Sequence, residues 1–236
     1  MSDIFESKTT TVDGRTVDYL EGGTGPTLVF LHGGGGRPVW PFHNQLTESF
    51  RVIMIEQPGF GGTPEIEAGQ GEKDYATVLL SWVQAVAGDS YHLAGHSFGG
   101  RTAAWVAALA PESVLSATLL APGVIVPEGL VVPPPPTPDG AEPTEQQKAQ
   151  GALVSRLVFG RNAELEAGLA ALTVPVTVVL GEVDPLFPPT LAPTYAEALP
   201  NASVEIAPQG GHVFALLQPA IAVEAVLRTA GITAEV

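Results

Sequence analysis

The sequence predicts an α/β protein, a mostly parallel β-sheet with helices on both faces. Two observations carry this: short unbroken apolar runs recur along the chain, and stretches with apolar residues at helical spacing lie between them. The runs "TLVFL" (27–31), "RVIMI" (51–55) and "VPVTVVL" (174–180) show no polar alternation, as strands covered on both faces require.

The elements follow in order. "SKTTTVDGRTVDYLEGG" alternates and turns at Asp13-Gly14, which predicts an antiparallel hairpin. After the runs at 27–31 and 51–55, "YHLAG" (91–95), "LSATLLA" (115–121) and "SVEIAP" (203–208) are weaker strands of the same kind. Helices are predicted for "YATVLLSWVQAVAG" (75–88), "RTAAWVAALAP" (101–111), "TLAPTYAEALP" (190–200) and "PAIAVEAVLRTAG" (219–231). Crossovers between parallel strands should be right-handed. "PGVIVPEGLVVPPPPTPDGAEPTEQQ" (122–147) is crowded with proline and reads as a loop or extended segment. The stretches "EQQKAQGALVSRLVFG" and "AELEAGLAAL" after it read as helical. Residues 123–171 are taken as a lid insertion over the C-terminal edge of the sheet, within a single domain spanning 1–236.

Composition narrows the function classes. Ten basic residues face twenty-five acidic ones, a formal charge of −15. Such a surface repels phosphate backbones and anionic lipid, so nucleic acid and membrane are not expected partners; a small-molecule substrate is. The chain has no cysteine, which excludes disulfides, thiolate nucleophiles and cysteine–zinc sites. The N-terminus lacks the apolar core of a signal peptide, and no apolar stretch approaches the roughly 20 residues of a membrane span. A cytoplasmic location is expected.

"LAGHSFGG" (93–100) carries the chemistry. Gly95-His96-Ser97-Phe98-Gly99 is the G-x-S-x-G pattern between a strand and a helix, a nucleophile elbow. A serine exposed on so sharp a turn leaves no room for side chains two positions away on either side, so glycine stands at both. A serine hydroxyl also needs a base, and the base an orienting acid. His212 lies in the glycine-rich "PQGGHVFALL", after the last predicted strand, and is the candidate base. "VVLGEVDPLFPP" offers Asp184 as the acid, with Glu182 as its rival. His96 is expected to be structural, with its ring turned from the reacting group; His92 and His43 are expected to be uninvolved, His43 on a surface helix. "FLHGGGGRPVW" (30–40) places Gly34 where its amide could meet a substrate oxygen, with the Phe98 amide as second oxyanion donor. Gly33 and Trp40 in the same segment are candidate substrate-binding residues. The polyglycine is not a phosphate loop, because the lysine and Ser/Thr that must follow are missing.

Taken together, "LHGGGG", "EQPGFGGTP", "GHSFGG", "GEVDPLFPP" and "GGHVF" make the chain resemble the α/β-hydrolase superfamily over nearly its whole length. The resemblance implies the α/β-hydrolase fold with an eight-stranded sheet, a Ser97–His212–Asp184 triad in the chain order of that fold, and no cofactor or metal. Glu56 stands where the family usually has aspartate in the turn after its fourth strand, and Thr63 where it usually has serine. "LHGGGG…W" followed by "QPGFGG" is also similar to hydrolases that cleave carbon–carbon bonds in ring-fission diketones, although their lid is longer and less rich in proline. The leading expectation is a serine hydrolase, an esterase acting on a carboxylic ester or lactone. The alternatives are carbon–carbon bond hydrolysis, cofactor-free perhydrolysis, and a non-enzymatic small-molecule receptor. Aspartate-nucleophile chemistry is disfavoured because the elbow carries serine.

Overall fold

The computed structural model describes residues 4–67, 69–126, 129, 142–158 and 160–233. Eight strands form one sheet: β1 (Glu6–Val12), β2 (Arg15–Gly22), β3 (Thr27–Leu31), β4 (Arg51–Ile55), β5 (Tyr91–His96), β6 (Val114–Leu120), β7 (Val176–Gly181) and β8 (Ala202–Ala207). Their order is β1-β2-β4-β3-β5-β6-β7-β8. β1 and β2 pair antiparallel, β2 meets β4 antiparallel, and every later pairing is parallel. The hairpin closes from Val12 to Arg15 through Asp13 (φ 49°) and Gly14 (φ 75°), the left-handed pair that a two-residue turn demands.

The central strands read as unbroken apolar runs because each feeds two cores. Leu28 and Phe30 point to one side of β3, Val29 and Leu31 to the other; on β4, Val52 and Met54 separate in the same way from Ile53 and Ile55. Helices α1 (Pro41–Leu46), α7 (Phe214–Leu217) and α8 (Pro219–Ala230) supply Phe42, Phe214 and Val226 to the first core. Helices α2 (Glu72–Ala87), α3 (Phe98–Leu109), α5 (Ala163–Ala170) and α6 (Ala192–Ala198) supply Trp82, Trp105, Leu165 and Tyr195 to the second. Helix α4 (Glu145–Leu157) buries Leu153, Val154 and Leu157 against this second core, above the ends of β3 and β4. Thr144 and Gln147 cap α4 reciprocally: the Thr144 hydroxyl accepts the Gln147 amide at 3.2 Å, and the Gln147 side chain accepts the Thr144 amide at 2.8 Å.

Several boundaries differ from the sequence reading. α2 begins at Glu72 rather than 75 and α3 at Phe98 rather than 101, because polar or glycine-rich first turns carry no apolar period. The stretch at 190–200 splits into a 3₁₀ turn, Pro189–Leu191, and α6. His43 is not on a surface: α1 turns it inward beside Phe30 and Phe42, and it is 1% exposed. Most of the proline-rich part of the expected insertion, 127–128 and 130–141, lies outside the described residues. Among the described residues no helix is long and apolar enough to cross a membrane.

Candidate active site

Strand β5 runs fully buried to His96, and the chain then reverses at Ser97 with φ 56° and ψ −116°. That left-handed backbone is strained for a residue with a Cβ and costs on the order of 1–3 kcal/mol. The surroundings hold it there. The Ser97 amide donates to the Leu120 carbonyl at 2.9 Å, and the Ser97 carbonyl accepts from the amides of Arg101 (3.2 Å) and Gly123 (3.0 Å). A Cβ on Gly95 would sit 2.2 Å from the Gly99 carbonyl oxygen, and one on Gly99 would sit 2.0 Å from that of Leu31. Glycine at both positions is what lets the elbow lie against β3.

Asp184 follows β7. The end of that strand runs directly against the loop carrying His212: a Cβ on Gly181 would fall 2.4 Å from the Gly210 carbonyl oxygen. This close approach brings acid and imidazole together. The His212 Nδ1–H donates to Asp184 Oδ2 at 2.9 Å, and His212 Nε2 lies 2.9 Å from Ser97 Oγ, placed to accept the hydroxyl proton. Asp184 is 2% exposed, and its Oδ1 accepts the amides of Leu186 (2.8 Å) and Phe187 (3.1 Å). Burial pushes the Asp184 carboxyl up, but the bonds from His212 and the two amides outweigh it and hold the carboxyl below its ordinary value. Glu182 stands apart; its carboxylate accepts the Gln209 amide at 2.7 Å. His96 does not touch Ser97 Oγ. Its Nε2–H donates to the main-chain carbonyl of His212 at 2.8 Å. His92 lies away from this group, with its Nδ1 2.8 Å from Ser116 Oγ and its ring edge-to-face with Phe50.

Gly34 and Phe98 face the same space as Ser97 Oγ, and their amides donate to no partner among the described residues. The loop that presents Gly34 is fixed by His32. Its Nδ1–H donates to the Gly33 carbonyl at 2.8 Å, and its Nε2 accepts the Gln57 amide at 3.1 Å. The Gln57 side chain closes the arrangement, donating to the His32 carbonyl at 2.6 Å and accepting from Thr102 Oγ1 at 2.8 Å. Burial pushes His32 down to about 4, so the ring is neutral. Glu56 Oε1, 3.5 Å from His32 Nε2, therefore makes no ion pair there; Glu56 pairs with Arg37 at 3.0 Å. In the sequence His32 belongs to the oxyanion-loop segment and Gln57 to the turn "EQPGFGGTP", but neither pattern indicates a role for the side chain.

A cavity of about 550 Å³ opens above Ser97. Gly33, Gly34, Trp40, Ser97, Phe98 and His212 line it, with Asp184 behind the imidazole. The remaining walls are mostly apolar: Val154 and Val158 from the α4 segment, Leu186 and Phe187 from the loop after β7, and Val213, with Gln147 and Ser155 of α4 among them. The α4 residues belong to the lid insertion expected over 123–171, whereas nothing in the sequence pattern marks Leu186, Phe187 or Val213 as cavity walls. Lys148 at the rim is the only cationic side chain among the described lining residues, and it is half-exposed and paired with Glu145.

The family model for the α/β hydrolase fold matches residues 26–158. The 2-(acetamidomethylene)succinate hydrolase of Mesorhizobium japonicum is 31% identical over 117 residues, covering 49% of this chain and 42% of that protein. The pimeloyl-[acyl-carrier protein] methyl ester esterase of Pseudoalteromonas atlantica is 38% identical over 115 residues, covering 48% and 41%. Among solved structures, the 2-hydroxy-6-oxo-6-phenylhexa-2,4-dienoate hydrolase from Rhodococcus sp. strain RHA1 superposes with a TM-score of 0.76 at 18% identity, covering 95% of this chain and 98% of that one. Against the curated relatives named here, the matched region is less than half of each protein's length.

Proposed function

Because the chain belongs to the α/β hydrolase family, we propose that it is a serine hydrolase that cleaves a carboxylic ester or lactone through an acyl-enzyme on Ser97. The observation that carries this reading is the unbroken chain Ser97–His212–Asp184, with both links at 2.9 Å, opening into an apolar cavity. Ser97 Oγ attacks the acyl carbon while its proton passes to His212 Nε2. The carbonyl π pair moves to oxygen, and the amides of Gly34 and Phe98 stabilise the oxyanion. Collapse breaks the bond to the alkoxide, which leaves with the proton from Nε2. Water then repeats the sequence on the acyl-enzyme, giving its proton to His212 and releasing the acid with Ser97 restored. Asp184 keeps the imidazole in the Nδ1–H tautomer and stabilises the imidazolium formed in each half.

The cavity walls favour an uncharged acyl group. The Rhodococcus hydrolase acts on a dienoate, which carries a carboxylate. An anion of that kind calls for a fixed cation, and the described lining residues offer only the rim Lys148. The part of the expected lid that α4 forms sets acyl-chain preference through Val154 and Val158.

The test is a panel of acyl esters of increasing chain length, a lactone and a vinylogous diketone, run beside fluorophosphonate labelling. Ester or lactone turnover together with a single adduct on Ser97 supports the reading. Turnover of the diketone alone moves the protein to carbon–carbon bond hydrolysis. Labelling with one slow turnover and retained product makes it a receptor. An adduct at another serine, or full activity in Ser97→Ala, overturns the reading.

A further inference from the structure

Behind the Ser97–His212 pair two buried histidines are left with one polar atom each. His43 is 1% exposed, and its Nδ1 accepts the Trp40 main-chain amide at 2.9 Å. The proton of this neutral ring is therefore on Nε2, and Nε2 is buried without a partner among the described residues. His96 is 4% exposed, and its Nε2 meets the His212 carbonyl, which can only accept. The proton of this ring is also on Nε2, so Nδ1 is a bare acceptor, and it too is buried without a partner among the described residues. One ring thus offers a donor and the other an acceptor. Buried polar atoms are overwhelmingly partnered, and these two line one small cavity, closed by Phe30, Gly33, Pro38 and Trp40. Its volume is about 10 Å³, the room of one water.

We infer that this cavity is a single-water site, and that the water joins His43 Nε2–H to His96 Nδ1 in a relay that positions the main chain of His212. The water accepts from His43 and donates to His96. The chain then runs from the Trp40 amide through His43, water and His96 to the His212 carbonyl, every link with one donor and one acceptor. Burial keeps both rings neutral, pushing His43 down to about 3 and His96 to about 4, so the polarity of the relay holds through the neutral range. His43 and His96 are positioning residues. They touch no reacting atom, yet they anchor the residue whose ring must meet Ser97 Oγ at 2.9 Å. Gly33 belongs to the same construction: a Cβ there would lie 3.0 Å from His96 Nδ1. The water site stands on this geometry alone; only its effect on rate rests on the hydrolase reading.

The site is tested on the unmodified protein by a high-resolution crystal structure and by imidazole ¹⁵N spectra. One ordered water within hydrogen-bond distance of both nitrogens, with both rings in the Nε2–H tautomer, is expected. A dry cavity, or a proton on His96 Nδ1, overturns the site. The relay is tested with His43→Phe, which removes the donor, and His43→Gln, whose amide N–H can replace it. His43→Phe should lower kcat roughly tenfold with KM within about twofold, and His43→Gln should recover most of the loss. Unchanged kcat in a folded His43→Phe protein, or equal loss in both variants, overturns the positioning role. If no ester is turned over, the same comparison is made on the rate of fluorophosphonate labelling, and the crystal and spectral results still decide the site.

Discussion

The carboxylate of Glu72, in the first turn of α2, holds the guanidinium of Arg101 on α3 through two hydrogen bonds, at 2.6 and 3.1 Å. Arg101 is 1% exposed and also donates to the carbonyls of Gly123, Val124 and Gly160, just beyond β6 and α4. Glu72 also accepts from Trp105 Nε1 at 2.9 Å and from the Asn162 side chain. Burial pushes the Glu72 carboxyl up, but the charge and hydrogen bonds of Arg101 together with the bonds from Trp105 and Asn162 outweigh it, and the net shift is downward. Removing Arg101 leaves the half-buried Glu72 carboxylate without its cation and three main-chain carbonyls without their donor. Arg101→Met is expected to destabilise the protein by roughly 3–5 kcal/mol. Urea unfolding checks this, and a loss below about 1 kcal/mol would count against the network.

Gly99→Ala puts a methyl 2.0 Å from the Leu31 carbonyl oxygen, which is backbone and cannot swing away. The elbow must move off β3 and take Ser97 with it. We expect a lower Tm and loss of fluorophosphonate labelling together. Gly62→Ala, where a Cβ meets nothing within 4 Å, serves as the control and should leave both unchanged.

The two carboxylates after β7 should separate cleanly. Asp184→Asn disturbs the tautomer and charge of His212 and is expected to lower kcat by about 10²–10⁴. Glu182→Gln weakens only a cap on the Gln209 amide and should cost kcat less than about tenfold. Steady-state kinetics on the best ester decides, and the reverse pattern would move the acid to Glu182.

Stability should fall on mild acidification. His32, His43 and His96 titrate in the fold at about 4, 3 and 4, against 6.5 for the ordinary side chain. Below 6.5 the unfolded chain takes up protons that the fold refuses, so the stabilisation present at higher pH is lost as pH falls towards 4. Each ring contributes about 1.4 kcal/mol per pH unit within that window. The depressed carboxyls of Asp184 and Glu72 act in the same direction at lower pH. Urea midpoints measured at pH 7, 6 and 5 should drop with an accelerating slope, and a flat series would mean that these rings are not buried neutral.

Val154 reaches over the glycine loop after β3, with its Cγ2 3.1 Å from where a Cβ of Gly34 would lie. Val154→Phe adds bulk to the roof and should shift preference to shorter acyl chains, with kcat/KM for the longest ester falling more than tenfold relative to the shortest. A uniform loss across chain lengths would show that the ring disturbs the loop rather than the pocket.

Fold and site were legible to different depths. The two-sided strands announced themselves because β3, β4 and β7 carry apolar residues on both faces, interrupted only by Thr27, Arg51 and Thr177, and Asp13-Gly14 announced the hairpin through its backbone demands. Ser97, Asp184 and His212 could be picked out because each stands in an irregular, glycine- or proline-marked segment just past an apolar strand. What was hidden depends on facing. The short stretch "PFHNQL" has too few residues to show which side meets the core, so His43 was read as exposed. The start of α2 was hidden because Glu72 is polar and only half-buried, held by partners on α3 and at the N-cap of α5. The cavity walls at Leu186, Phe187 and Val213 come from loops, where no periodicity signals direction.

The sheet also acts as a partition. Ser97 leads into α3, whose Phe98 and Ala103 pack on one side of it, while the loop bearing His212 runs into Phe214 and Ala215, which pack on the other. Ser97 and His212 are thus moored in separate hydrophobic compartments, with the strand edge lying between them. A repacking substitution in either compartment, far from any substrate, displaces one member of the pair without the other. Drift in core residues can therefore retune the 2.9 Å contact between them while the residues at the contact stay the same.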